Sequence, residues 1–92
     1  MALLSEKEVQ EKLANLEGWQ KKGNEITKMY KQKDFVDAIS FVNKVAILAE
    51  KANHHPDILV KYNKVTLILS THDEGGITDR DFNLVKKIDG VK

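Results

Sequence analysis

Apolar residues recur along the chain with two different periods, and the switches between them mark out its elements. In SEKEVQEKLANLEGW, Val9, Leu13 and Leu16 fall at helical spacing behind a Ser5-x-x-Glu8 capping box, and Gly18 supplies a stop. This predicts a helix over about residues 5–16. WQKKGNEITKMYKQ then alternates at Ile26, Lys28 and Tyr30 beyond a Gly23-Asn24 turn, which predicts a hairpin with Trp19 anchoring its first strand. In KDFVDAISFVNKVAILAEKAN, Asp34 is an N-cap, and Phe35, Ile39, Val42, Ala46 and Ala49 form one stripe. Val36, Phe41, Val45, Ile47 and Leu48 widen that stripe, so the helix has apolar surface for a sheet and for a partner subunit. PDILVKYNKVTLILST reads as a second hairpin, with Ile58, Val60 and Tyr62 alternating, a turn at Asn63-Lys64, and Val65, Leu67 and Leu69 alternating again. A glycine loop leads to a last helix, opened by a Thr78-x-x-Asp81 capping box and striped by Phe82, Val85 and Ile88.

Helix, two strands, helix, two strands, helix implies an α+β two-layer sandwich. Its four-stranded antiparallel sheet comes from two hairpins, with the helices on one face. The 92 residues fit one domain, 1–92, and a domain this small has a modest stability margin that self-association would raise. Fifteen basic against fourteen acidic residues, interleaved, leave a net charge of +1 and no concentrated basic face for nucleic acid. The absence of cysteine excludes disulfides and thiolate chemistry. MALLSEKEVQ lacks the apolar core of a signal peptide, and no apolar run approaches a bilayer span, so a cytoplasmic location is expected, without membrane contact.

The chemistry concentrates at ANHHPDILVKYNKV. His54 and His55 precede the only proline, Pro56, at the start of one predicted strand, and His72 follows the end of the strand paired with it. Antiparallel pairing brings those two ends together, so all three histidines are expected at one place. Three readings of that cluster compete. Each histidine is a loop residue satisfied by a local hydrogen bond; or the three hold a metal; or they act as acids and bases near neutrality. Neighbouring residues in extended chain point to opposite faces, which works against His54 and His55 sharing one ion. Pro56, with its fixed φ and missing N–H, is expected to end the preceding helix and set the direction of both imidazoles. With no serine or cysteine triad, acid/base chemistry here means proton transfer on a small molecule, such as dehydration or isomerisation.

At these residues the chain resembles the pterin-4a-carbinolamine dehydratases, also known as the dimerisation cofactor family. Glu50 stands before Lys51-Ala52-Asn53, then come His54-His55-Pro56, then Tyr62, His72 and Asp81, each at the family's spacing. The flanks YNKVTLILSTH and ITDRDFNLVKKI are similar too, and the resemblance spans at least residues 34–88. It implies dehydration of 4a-hydroxytetrahydrobiopterin to quinonoid dihydropterin, within tetrahydrobiopterin recycling. It implies active-site roles for His54, His55 and His72, and supporting or substrate-binding roles for Glu50, Pro56, Tyr62 and Asp81. No metal or cofactor is required, and a homodimer or homotetramer through helix 35–49 and the sheet edges is expected. Two alternatives accompany the resemblance. One is a dimerisation cofactor or coactivator-type module that binds a protein; the other is an enzyme for another pterin, such as a molybdopterin precursor. Animal members commonly carry an aromatic two residues after the proline, where this chain has Ile58.

Overall fold

The computed structural model describes residues 2–91. Helix α1 (Glu6–Ala14) begins with the Ser5–Glu8 capping box and α3 (Asp79–Asp89) with the Thr78–Asp81 box, both closed reciprocally as the spacing predicts. The long helix α2 (Phe35–Ala52) is capped by the Asp34 carboxylate, which accepts from the Asp37 N–H at 2.9 Å. Between them lie β1 (Gln20–Lys22), β2 (Glu25–Lys31), β3 (Asp57–Lys61) and β4 (Lys64–Leu69), and one 3₁₀ turn at His72–Glu74 precedes α3. The strands form an antiparallel sheet in the order β1-β2-β4-β3, so the two hairpins join through β2 and β4. Period-two burial follows. Ile26 and Tyr30 on β2, with Val65, Leu67 and Leu69 on β4, are buried beneath the helices, while Met29 and Leu59 on the other face stay about half exposed. Each fully buried aliphatic side chain contributes about 1.5–3 kcal/mol of transfer free energy. Among the described residues no helix is long and apolar enough to cross a membrane.

The structure corrects four local expectations. Helix α1 stops at Ala14, short of residue 16, because Asn15 caps it and the Leu16 N–H bonds the Leu13 carbonyl in a tightened last turn. The face of α2 that packs on the core carries Ala38, Phe41, Val45 and Ala49, whereas Phe35 is 50% exposed and Ala46 faces solvent. The true stripe is rotated by about 75° from the expected one at 100° per residue. A helix apolar around most of its circumference does not reveal its phase, and here Ala38, Phe41, Val45 and Ala49 are the positions the core buries. The β3–β4 turn is Tyr62-Asn63, one residue earlier than expected, since Lys61 pairs directly with Lys64. Tyr62 takes a left-handed φ of 52° there and is exposed. Finally, α2 is ended by Asn53 and not by Pro56. Asn53 adopts φ 49°, ψ 44°, its N–H bonds the Glu50 carbonyl, and the His54 N–H bonds the Ala49 carbonyl, the pattern of a Schellman turn.

At the end of the sheet beneath the C-terminus of α3, Asp89 accepts from the Tyr30 hydroxyl at 2.5 Å and from Trp19 Nε1 at 3.3 Å, with Lys28 Nζ 3.8 Å away. Burial first, then the hydrogen bond and charge of Asp89, push the Tyr30 phenol well above its ordinary value. The folded state therefore keeps a proton that the unfolded chain releases above about pH 10. The stability this contributes is full below that pH and is lost as pH rises through the folded value. Tyr30→Phe is expected to lose less stability than the wild type between about pH 9 and pH 11 in urea unfolding. Parallel stability curves for the two proteins would refute the assignment.

Candidate active site

The Schellman turn at Asn53 aims His54 inward, toward the first turn of α3. His54 is 6% exposed, and its Nε2 lies 2.5 Å from Oδ1 of Asp81, which is fully buried. The other oxygen of Asp81 accepts from the Thr78 N–H at 2.9 Å, closing the capping box, and from the Thr71 hydroxyl at 3.0 Å. Thr71 and Thr78 oxygens lie 2.7 Å apart. Because the Thr71 hydrogen goes to Asp81, the Thr78 hydroxyl donates to Thr71, and the Arg80 N–H donates in turn to Thr78. A carboxylate is acceptor-only, so this network makes His54 Nε2 the donor, and in the neutral imidazole the lone pair then sits on Nδ1. The N-terminus of α3 adds favourable potential at the buried charge. Among the described residues no buried side-chain nitrogen or oxygen lacks a partner.

His55, next in the extended chain, turns the opposite way. Its Nε2 lies 2.5 Å from Oε2 of Glu50, one turn back on α2, and both groups are exposed. His72 stands on the 3₁₀ turn after β4, exposed, and among the described residues its imidazole has no hydrogen-bond partner. All three histidines line one cavity of about 170 Å³, together with Ser70, Asp73 and Arg80. Buried Asp81 and exposed Glu50 each hold one of these imidazoles. Pro56 is half-buried and carries the chain from His55 into β3. Tyr62 is not brought here: it follows the far end of β3, whose five residues span roughly 16 Å at about 3.3 Å per residue.

Arg80 is one of the residues at this cavity that the sequence did not single out. Its Nη2 donates to the Asn53 carbonyl at 2.8 Å, bracing the turn that aims His54. It is the only arginine in a chain rich in lysine, and that is the one signal that pointed to it. Thr71 gave no signal, since a threonine at a strand end is unremarkable until its partners are known. Among the described residues no three His, Cys, Asp or Glu side chains are grouped to hold a metal ion.

Imidazoles held by carboxylates around a small polar cavity, on a two-layer α+β scaffold, define a site equipped for acid/base chemistry. The sequence profile described as pterin 4 alpha carbinolamine dehydratase matches residues 2–91, and the chain belongs to that family. Proteins from Roseiflexus castenholzii and Sulfurisphaera tokodaii, both named "Putative pterin-4-alpha-carbinolamine dehydratase", are each 52% identical. The first match covers 98% of this chain and 97% of the relative, the second 97% and 96%. A crystal structure of a transcriptional coactivator/pterin dehydratase from Brucella melitensis superposes with a TM-score of 0.91 at 40% identity, over 96% of both chains. A pterin dehydratase-like protein described as a RuBisCO assembly factor in the alpha-carboxysome shares the fold, with a TM-score of 0.63 at 19% identity over 78% of this chain and 83% of that one.

Proposed function

We propose that the whole chain is one dehydratase domain that converts 4a-hydroxytetrahydrobiopterin to quinonoid dihydropterin, as a cytoplasmic step of tetrahydrobiopterin recycling. The observation that carries this reading is the convergence of three imidazoles on one cavity, two of them oriented by carboxylates. The reaction breaks the C4a–O bond, releases water and removes the proton on N5. One acid and one base suffice, each worth about 10²–10⁴-fold, and no cofactor enters the balance. His54, with Nε2–H committed to Asp81, offers its Nδ1 lone pair as the base. His55 and His72 face the same cavity and supply the proton for the departing hydroxyl. Glu50 orients His55, Asp81 orients His54, and Pro56 shapes the wall between them. The test is dehydration of freshly generated carbinolamine, followed by ultraviolet absorbance against the spontaneous rate. Clear acceleration by the wild type supports the reading. A rate equal to the spontaneous one sinks it, and product analysis with other pterins would then decide whether the site serves a different ring.

The same reading includes a homodimer or homotetramer. Phe35, Val36 and Ile47 on α2 are all at least half exposed, and β3 is an edge strand with Ile58 and Leu59 open to solvent. Unpaired edges and clustered apolar side chains are surfaces that a second copy covers. Sedimentation velocity is expected to give a wild-type species heavier than the 10.5 kDa chain, and Val36→Glu with Ile47→Glu is expected to reduce it to the monomer. A monomeric wild type would leave that face for another protein, the coactivator-type alternative suggested by the name of the Brucella relative.

A further inference from the structure

At about 170 Å³ the histidine cavity is smaller than the roughly 300–1,000 Å³ of typical small-molecule sites. It does not end at its own walls. Ser70 and His72 also border a second hollow of about 410 Å³, which runs from the 3₁₀ turn to the β1–β2 turn and is lined by Lys22, Asn24, Glu25 and the Gly75-Gly76 pair. The two hollows share Ser70 and His72 as lining residues, so they lie side by side with His72 between them.

Glycine keeps the second half open. Gly23 in the β1–β2 turn and Gly75 after the 3₁₀ turn have φ of +60° and +77°, and a Cβ on either would meet nothing within 4 Å. Thr71 fixes the floor. Its carbonyl accepts the N–H groups of Glu74 and Gly75, and its own N–H bonds the Gly76 carbonyl at 2.7 Å, while its hydroxyl holds Asp81. The residue that braces the His54–Asp81 pair thus also sets the shape of the adjoining groove.

The chemistry of the lining limits what enters. Lys22 and Glu25 face each other across the turn in register, so their charges offset, and Asn24 and Ser70 add an amide and a hydroxyl. A phosphate or carboxylate would meet no net positive charge here. A short, uncharged, hydroxylated chain would find donors and acceptors on both sides.

Resting on the dehydratase reading, we infer that this second hollow is the subsite for the substituent at C6 of the pterin, and that Asn24, Lys22 and Glu25 select a hydroxylated tail. Covalent connectivity supports it. C6 is bonded to N5, the atom that loses its proton, so a substituent at C6 must leave the ring beside the histidines. His72 is the histidine that borders the second hollow.

The experiment compares kcat/KM for carbinolamines bearing a 6-(1,2-dihydroxypropyl) and a 6-methyl group, in the wild type and in Asn24→Trp. Asn24 is exposed and not in the left-handed region, so an indole there adds no backbone strain and fills the groove. The wild type is expected to favour the hydroxylated substrate by about tenfold, as one or two neutral hydrogen bonds allow. Asn24→Trp is expected to remove that preference by raising KM for the long tail alone, and Lys22→Met to reduce it. Equal kcat/KM for both substrates, unmoved by either variant, overturns the subsite while leaving the dehydratase reading in place. Failure of the wild type to turn over either substrate overturns both.

Discussion

Replacing His72 by alanine is expected to lower kcat/KM for carbinolamine dehydration by about 10²–10⁴-fold, toward the spontaneous rate, without measurable loss of stability. The two halves of that expectation rest on separate observations. His72 lines the cavity with His54 and His55, so its imidazole is within the reach of the same bound molecule. Yet it is exposed, and its turn is held by backbone bonds: the Gly75 N–H to the carbonyls of Thr71 and His72, and the Glu74 N–H to Thr71. Removing an exposed side chain that bonds nothing among the described residues changes folding free energy by no more than about 0.5 kcal/mol. Activity within threefold of the wild type, at an unchanged thermal midpoint, would take His72 out of the mechanism.

Asp81→Ala is expected to behave in the opposite manner, failing first as a folded protein. The substitution strips the buried acceptor from three donors at once: the His54 ring, the Thr71 hydroxyl and the Thr78 N–H. Hydrogen bonds to a charged group are worth about 1.5–3 kcal/mol each, and buried donors left unpaired carry their full desolvation penalty. A loss of about 3–5 kcal/mol is expected, a large share of the roughly 5–15 kcal/mol that holds a domain folded. At about 4–8 °C per kcal/mol for this size, the midpoint falls by well over 10 °C in a circular-dichroism melt. Asp81→Asn keeps the volume and one acceptor and should melt higher than the alanine variant. It presents an N–H to His54 Nε2, however, which demands the other tautomer and fills Nδ1 with a proton. The asparagine variant is therefore expected to be folded and slow. A drop of less than about 1 kcal/mol for Asp81→Ala would mean the network contributes little.

What the sequence disclosed, and what it withheld, follows from how local each determinant is. Both capping boxes were legible because a hydroxyl and a carboxylate three residues apart close on each other without help from the rest of the chain. The second hairpin was legible from alternation alone, and pairing Asp57 with Ile68 puts the start of β3 beside the end of β4, where the histidines meet. The phase of α2 was not, since apolar residues on most of its surface satisfy several rotations and only the docked sheet chooses among them. The Tyr62-Asn63 turn was misplaced because a tyrosine with positive φ is costly in isolation, and register with β4 imposes it. The capping box alone accounts for Asp81 locally, and only the spacing shared with the family pointed to a second role; that its other oxygen meets His54 depends on the packing of α3 against the end of α2. Arg80 depends on the carbonyl of Asn53, 27 residues away, and no local spacing encodes that.

The two duties of Asp81 have a consequence for how lineages of this fold drift. A descendant that no longer needs dehydration still needs a cap on α3 and a partner for a buried imidazole, so selection for mere persistence of the fold retains both Asp81 and His54. His72 has no such second employment. Once turnover ceases to matter, no side-chain bond among the described residues resists its replacement. In this chain the buried pair answers to folding and to the site alike, while the solitary imidazole on the 3₁₀ turn answers to the site alone.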